Sequence, residues 1–255
     1  MSIDKTDLAI RMKRYESISQ ISLTPRMPLI IRLDGRSFSK YTKGFEKPWD
    51  LKIRQGMSNA AIGLMSDIQG AEIAYLQSDE ITLLINSYKY FKTQAWFDNN
   101  LQKICSISAS IATAFFNDQM KNALWNYTTV CTCTDSSHTH WKPKTKLANF
   151  DSRAFVVPKE DVCNAFYWRQ VDAIRNSISG YAQKHFSHKQ LHKKNRGDMK
   201  EMLKEKGIIW EDLDPWTRHG WCVIRNGSNV ECDYNIPNFS QDRSYIEKYI
   251  AQIEE

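Results

Sequence analysis

The chain has 255 residues, of which 42% are apolar and 25% charged, and a formal net charge of +6 at pH 7. This length suffices for one large domain or for a core domain with additions, and no apolar run approaches the ~18 residues of a membrane-spanning helix. The six cysteines are too sparse for a disulfide scaffold, and residues 1–4 lack a signal-peptide pattern. We therefore expect a cytoplasmic protein in a reducing compartment, with no membrane partner.

Hydrophobic periodicity in the first 158 residues predicts a helix followed by the order strand, helix, strand, strand, helix, strand. In chain order these elements are a helix over 4–19 capped by Asp4 or Thr6, a strand over 29–33, a helix over 50–68, strands over 71–76 and 81–86, a helix over 93–117 and a strand over 154–157. The stretch 118–149 is polar and irregular. The order is that of the ferredoxin-like split unit, in which two helices cover one face of an antiparallel sheet.

The remaining residues predict further helices over 159–185, 196–206 and 241–254, and a β-hairpin with strands over 221–225 and 228–234. Asn226-Gly227 is a strong signal for the hairpin turn. We therefore predict an α+β protein with two parts. A catalytic core with its N-terminal helix occupies 1–158, and a helical and hairpin extension over 159–255 packs on it.

Two stretches of the predicted core look complementary. In the first, the strand over 29–33 ends in Asp34-Gly35, and in the second the turn over 77–80 carries Asp79. If this strand pairs beside the hairpin, the two aspartates meet at one end of the sheet. Two carboxylates beside an unshielded glycine carbonyl suit hard divalent cations, and two-metal phosphoryl-transfer sites are built from such parts.

The order of elements alone leaves three classes of protein open. RNA-recognition modules share it, but they place aromatic residues on the central strands to stack bases. Here those strands are mainly aliphatic and carry carboxylates at their ends, which favours an enzyme with a polymerase-like palm. Palm-type nucleotide cyclases share the two-carboxylate plan, so a cyclase and a non-catalytic RNA-binding protein remain alternatives.

Three other features need an interpretation. The tract 184–206 has eight Lys and Arg and three His against three acids, and it is either a solvated helix face or a phosphate-binding surface. The pairs Cys131/Cys133 and His138/His140 could form a zinc cluster, but their spacing differs from structural zinc fingers, which favours a variable loop. Seven tryptophans are interpreted as core or interface residues rather than base-stacking platforms: Trp96, Trp125, Trp141, Trp168, Trp210, Trp216 and Trp221.

Several motifs in order resemble one family. They are Arg32-Leu33-Asp34-Gly35-Arg36-Ser37-Phe38, Phe45-Glu46-Lys47-Pro48, Gln77-Ser78-Asp79-Glu80, Arg153-Ala154-Phe155-Val156-Val157-Pro158 and Trp168-Arg169-Gln170. Over residues 5–225 the chain is similar to the tRNA-histidine guanylyltransferase superfamily. The resemblance implies a palm fold, a nucleotidyltransferase, and 3′-to-5′ nucleotide addition to the 5′ end of an RNA. It also implies tRNA, through its acceptor stem, as partner and a homotetramer.

The chain departs from the eukaryotic pattern after Trp168-Arg169-Gln170. Ile174 replaces a histidine of that pattern and Gly180 replaces an asparagine. In this it resembles the guanylyltransferase-like branch, which implies template-dependent repair of 5′-truncated tRNA. The alternative is addition of a single G to tRNA-histidine.

The resemblance also implies roles for individual residues. Asp34, the Gly35 carbonyl and Asp79 would bind two Mg²⁺ ions, and Glu80 has a lesser catalytic place beside them. Lys47 and Ser78 would hold the activating ATP. The incoming GTP or other nucleoside triphosphate and its phosphates would contact the remaining matched residues, which are Arg36, Ser37, Phe38, Lys103, Lys194 and Asn195.

Overall fold

Six strands form one antiparallel sheet in the computed structural model, which describes residues 6–130 and 147–252. The strands are β1 Leu29–Gly35, β2 Ala71–Gln77, β3 Glu80–Ile85, β4 Phe150–Val156, β5 Trp221–Asn226 and β6 Asn229–Asp233. Their order across the sheet is β4-β1-β3-β2-β5-β6. The first four strands give the predicted ferredoxin-like order, and the predicted C-terminal hairpin, β5–β6, pairs with β2 and extends the same sheet.

The sheet is covered differently on its two faces because successive side chains of a strand alternate in direction. On one face, Leu29, Ile31 and Leu33 of β1 belong to a core shared with α3 (Leu51–Asp67) and α4 (Leu101–Val130). On the other face, Ile30 packs in a second core with α5 (Val162–His185). The prediction of two core helices on one face is confirmed, and the first helix of the extension covers part of the opposite face.

The other helices are short or peripheral. They are α1 Asp7–Ile18, α2 Phe38–Tyr41, α6 His188–Leu191, α7 Arg196–Glu205, α8 Pro215–His219 and α9 Ser244–Glu247. Thr6 caps α1, as predicted, by accepting a hydrogen bond from the Ala9 N–H at 3.2 Å. None of the long described helices is apolar enough to cross a membrane.

Several predicted bounds are wrong. α4 begins only at Leu101, because residues 97–99 have left-handed backbone angles, and it continues to Val130 into the stretch predicted to be irregular. β4 begins at Phe150 rather than at 154. The predicted helix over 241–254 is a single turn, α9. The Cys131, Cys133, His138 and His140 cluster and Trp141 lie outside the described residues, as does the side chain of Trp125.

Candidate active site

The two aspartates of the sequence prediction, Asp34 and Asp79, do meet at one end of the inner strands of the sheet. We call this end of the strands the reacting edge. β1 and β3 pair with Asp34 opposite Glu80, and the Gly35 N–H donates to the Asp79 carbonyl at 3.0 Å. A Cβ atom on Gly35 would lie 2.4 Å from the Phe38 ring and 3.0 Å from Asp79 Cβ. Only glycine therefore lets the end of β1 approach the β2–β3 turn this closely.

Burial sets the electrostatics of this edge. It raises the pKa of Asp79 to about 6, against the opposing effect of a hydrogen bond from Ser78. Burial also raises the pKa of Asp34, and the negative charge of Asp151 adds to that effect. Two carboxylates that are costly to ionise next to each other gain from a shared cation.

The donor set fits a divalent metal ion held with few protein ligands. Across residues 6–130 and 147–252, no three His, Cys, Asp or Glu side chains gather into a metal-binding group. The edge offers two carboxylates and the Gly35 carbonyl. Mg²⁺ is commonly bound by one or two carboxylates, with waters and substrate phosphates as its remaining ligands. The site therefore suits a metal that arrives together with a nucleotide.

Glu80, predicted as a lesser catalytic residue, is engaged elsewhere. Its side chain is buried and accepts two hydrogen bonds from Arg169, at 2.6 Å from Nε and 2.8 Å from Nη2. Arg169 also bonds Asp172 at 2.9 Å. A carboxylate held by a bidentate arginine has little capacity left for a metal. Its catalytic place stays a prediction, and the contacts favour a role in fixing α5 against β3.

A cavity of about 380 Å³ opens beside Asp79, on the α3 side of the sheet. It brings Lys47 and Ser78 together, as the proposed contacts of an activating nucleotide require. Its other walls come from residues 38–54 and from two tryptophans of the extension, Trp216 and Trp221. The cavity walls combine five aromatic side chains with two cations, Lys47 and Arg54, and adjacent carboxylates. Such a cavity can hold a nucleotide with its phosphates directed to the reacting edge.

The loop that carries Lys47 is braced by Asp50, which the sequence analysis did not single out. Asp50 caps α3 by accepting from the Lys52 N–H at 2.8 Å, and its second oxygen accepts from the Glu46 N–H at 2.9 Å. Lys47 Nζ donates to Thr42 Oγ1 at 3.0 Å. An aspartate directly before an apolar helical pattern is an N-cap signal, so the sequence could have indicated this residue.

Arg54 is a second missed residue of the cavity wall. Its guanidinium lies 4.6 Å from the Trp216 ring centroid and 4.4 Å from that of Tyr234, which places it between two aromatic rings. Trp221 donates to Ser58 Oγ at 2.9 Å. These contacts join α3 to the C-terminal hairpin region, and nothing local in the sequence indicates them.

The residues after Gly35 divide into two kinds. Arg36 and Ser37 are exposed and can reach a ligand at the edge. Phe38 is buried, and its ring packs 5.1 Å from Tyr41, 5.5 Å from Phe116 and 5.9 Å from Phe150. This packing holds the loop on the core. Phe38 also borders the cavity, where its ring can contact a base.

Lys103 is not brought to this edge. Thr113 of α4 accepts from the N–H of Phe150, and Phe150 pairs with Gly35 at the reacting edge. Lys103 precedes Thr113 by ten residues, which corresponds to roughly 15 Å along a helix. A phosphate contact by Lys103 stays a prediction, and it would have to lie away from the aspartates.

Lys194 and Asn195 are exposed and are not among the cavity-lining residues. Asn195 caps α7 by accepting from the Asp198 N–H at 3.1 Å. The surrounding basic tract is largely exposed along α6 and α7, with Lys200 paired to Glu211 at 2.7 Å. Its two interpretations, a solvated face and a phosphate-binding surface, both remain compatible with these contacts.

Comparisons with known proteins agree on one family. A sequence model described as tRNAHis guanylyltransferase (Thg1) matches residues 9–158. An uncharacterized protein of Acanthamoeba polyphaga mimivirus is 29% identical over 239 residues, covering 89% of this chain and 79% of the relative. The tRNA(His) guanylyltransferase of Schizosaccharomyces pombe is 30% identical over 171 residues, covering 66% of this chain and 56% of that enzyme.

Solved structures extend the likeness to nearly the whole chain. A bacterial tRNA(His) guanylyltransferase (Thg1)-like protein in complex with ATP superposes with a TM-score of 0.87 at 42% identity, covering 96% of this chain and 100% of that one. A complex of such a bacterial protein with GTP has a TM-score of 0.78 at 37% identity, with the same coverage. The Saccharomyces cerevisiae enzyme shares the fold, with a TM-score of 0.66 at 20% identity over 91% of this chain and 98% of that chain.

Proposed function

Because the chain belongs to the tRNAHis guanylyltransferase (Thg1) family, whose sequence model matches residues 9–158, we propose that it repairs 5′-truncated tRNA by template-dependent 3′-to-5′ nucleotide addition. The chain is a nucleotidyltransferase that uses nucleoside triphosphates. The observation that carries the proposal is the meeting of Asp34 and Asp79 at one edge, directly beside the cavity that contains Lys47 and Ser78.

The proposed reaction has two steps. In the first, an oxygen of the RNA 5′-monophosphate attacks the α-phosphorus of ATP, and pyrophosphate leaves as the adenylylated 5′ end forms. In the second, the 3′-hydroxyl of an incoming nucleoside triphosphate attacks the 5′-phosphorus of the RNA, and AMP leaves. Each step exchanges one phosphoanhydride or phosphoester bond for another, so positioning and charge stabilisation suffice for catalysis.

The residues of this chain would divide that work by position. Lys47 and Ser78 would hold the triphosphate of ATP in the cavity, and Arg36 and Ser37 would border the incoming nucleotide. Asp34, Asp79 and the Gly35 carbonyl would hold two Mg²⁺ ions. When bound, such ions lower the pKa of an attacking hydroxyl and offset charge on the leaving group.

Templated repair is favoured over histidine-tRNA specificity by the two substituted positions of α5. A Cβ atom on Gly180 would lie 3.1 Å from Pro48 Cβ, so this position borders the Lys47 loop without a side chain to present. Ile174 is half-buried and offers no donor or acceptor. Loss of polar readers removes strong discrimination between tRNAs, which leaves base pairing with the opposite strand as the selector.

We also propose which residues make up the catalytic unit. We keep the division into a core over 1–158 and an extension over 159–255, with the extension completing the cavity through Trp216 and Trp221. Tetramer formation and a cytoplasmic, reducing location remain expectations. The four described cysteines, Cys105, Cys163, Cys222 and Cys232, are free thiols.

One assay separates the proposal from its rivals. The wild-type protein is incubated with Mg²⁺, ATP, an α-labelled nucleoside triphosphate and a tRNA lacking its first nucleotide. We expect the label to enter the tRNA. A palm-type cyclase would convert the nucleotide to a cyclic product without RNA, and a non-catalytic RNA-binding protein would leave the label in the nucleotide. Either result would refute the proposed function.

A further inference from the structure

One face of the reacting edge lies outside the cavity and is only partly covered by α5. Arg32 and Asp34 of β1 point to this face, and they pair across the strands with Arg153 and Asp151 of β4. The side chains of Arg153 and Asp151 are 54% and 51% exposed. We call these four residues, together with Trp168 of α5, the open face. Their charges and accessibility contrast with the aromatic cavity on the opposite side of the sheet.

For Trp168 of the open face, the sequence favoured a core or interface position over a base-stacking platform. Trp168 is 55% exposed, rather than a core residue. The Arg169 guanidinium lies 4.5 Å from the Trp168 ring centroid and is itself fixed by Glu80. Contact with this fixed guanidinium restrains the indole. An exposed tryptophan fixed by a buried arginine presents a rigid aromatic surface to a ligand.

Arg32 provides the second observation. Its guanidinium lies 5.5 Å from the Trp168 ring centroid, and its Nε atom is buried without a hydrogen-bond partner among the described residues. A ligand cannot reach this buried Nε atom, but Arg32 is half-buried overall, so a ligand on the open face would meet its Nη donors beside the exposed ring. Phosphate oxygens are the acceptors that guanidinium groups match best.

We propose that Trp168 stacks on the terminal base of the tRNA acceptor stem, while Arg32 and Arg153 bind the adjoining phosphates. This inference rests on the proposed function, since it assigns the RNA end to one side of the reacting edge. Arg32 precedes Asp34 by two residues on one strand, a distance of ~7 Å. A 5′ end seated on Trp168 and Arg32 therefore places its terminal phosphate near the two aspartates.

The open face suits RNA better than the free nucleotide. The cavity already offers a partly open site with aromatic walls and two cations, of a size for one nucleotide. A duplex end is too large for such a cavity and needs an accessible platform. Stacking on an aromatic ring tolerates any base, which matches an enzyme that accepts several tRNAs.

The test uses Trp168→Ala and Trp168→Phe, with Phe91→Ala as matched control. Phe91 is 86% exposed and has the Arg26 guanidinium 5.7 Å from its ring, but it follows the far end of β3. Binding of a fluorescently labelled, 5′-truncated tRNA is measured by anisotropy without nucleotide. We expect the Kd to rise about 5- to 150-fold in Trp168→Ala, less than about threefold in Trp168→Phe, and not at all in the control.

The KM for the nucleoside triphosphate shows whether Trp168 stacks on the terminal base of the tRNA or on the base of the incoming nucleotide. We expect it to stay within about twofold in Trp168→Ala. A raised KM for the nucleotide with an unchanged tRNA Kd would assign Trp168 to the incoming base and overturn the inference. Equal behaviour of Trp168→Ala and Phe91→Ala in both measurements would reduce Trp168 to packing on Arg169.

Arg153→Ala keeps the inference testable if the Trp168 variants fold poorly, because Arg153 is exposed. Removing one phosphate contact should lower the slope of log Kd against log salt concentration by about one. An unchanged slope would contradict the phosphate assignment. These binding measurements need no turnover, so failure of the wild-type protein to add nucleotides would refute the proposed function without deciding this one.

Discussion

The two sides of the reacting edge are built for ligands of different size. On the α3 side, loop 46–50 and the tryptophans of the extension enclose a cavity of about 380 Å³ with Lys47 at its rim. On the α5 side, β1 and β4 present charged residues to solvent, and α5 presents one exposed indole, that of Trp168. Asp34 and Asp79 lie where the two sides meet. Under the proposed function, this difference lets one edge join a small nucleotide to the end of a large RNA.

The largest expected effect comes from removing the aspartates at the boundary. Asp34→Ala and Asp79→Ala should each reduce nucleotide addition on the order of 10²-fold or more, because both steps lose charge stabilisation. Rates are measured at saturating Mg²⁺, with circular dichroism to establish folding. Asp67→Ala is the matched control, since Asp67 is exposed at the end of α3 and lines neither the cavity nor the open face. Near wild-type turnover in either alanine variant would remove the metal assignment.

A smaller effect on the rate is expected when the cavity residue Lys47 is changed instead of the aspartates. Lys47→Ala should slow reaction of 5′-monophosphate tRNA by roughly 10- to 100-fold, because the triphosphate of ATP loses its charged hydrogen-bond donor. A 5′-triphosphate tRNA needs no activation and should react at nearly the wild-type rate. Single-turnover rates with the two RNAs measure this difference.

Lys43→Ala is the control for that comparison, since Lys43 is exposed in the same segment but does not line the cavity. Equal slowing of both RNAs in Lys47→Ala would show that Lys47 serves both steps. The division of labour between cavity and boundary would then be wrong.

The sequence predicted the two aspartates better than it predicted the cavity on one side of them or the open face on the other. Asp34, Gly35 and Asp79 follow from a strand end and a tight turn, and both are local features that pairing of two neighbouring strands brings together. Arg54 and Trp216 meet only because α3 packs against a segment about 160 residues later in the chain, and no local pattern indicates that contact. Whether Trp168 is buried likewise depends on how far α5 covers the sheet.

Lys103 shows why a residue that matches a motif need not lie beside the two aspartates. Lys103 belongs to the helix that packs beneath the reacting edge, but the contact with the edge is made by Thr113 and Phe116. A motif fixes a position in the sequence, whereas the distance from the site depends on where the helix begins and how it lies on the sheet.

The smallest of these effects concerns stability. Since burial raises the pKa of Asp79 to about 6, the folded state holds its proton more tightly than the unfolded state does. The stability that this proton confers is complete below pH ~4 and is lost as the pH rises through about 6. Asp79→Asn should therefore stabilise the metal-free protein by roughly 1–2 kcal/mol at pH 7.5, after allowance for partial exposure, and much less at pH 5.

Thermal unfolding of both proteins at the two pH values checks this sign. Mg²⁺ added together with ATP should raise the Tm of the wild type at pH 7.5 more than that of Asp79→Asn, because a ligand stabilises only a state that binds it. A variant that is less stable than the wild type at pH 7.5 would contradict the proposed cost of ionising the buried Asp79 carboxyl.

Template choice tests the central claim most directly. Two tRNAs that lack their first nucleotide are compared, one with C and one with A opposite the gap, and all four nucleoside triphosphates are supplied. The account predicts addition of G to the first and U to the second, on tRNAs of several kinds. Addition of G to both at similar rates, or activity confined to histidine tRNA, would contradict templated repair and favour a tRNA-histidine guanylyltransferase.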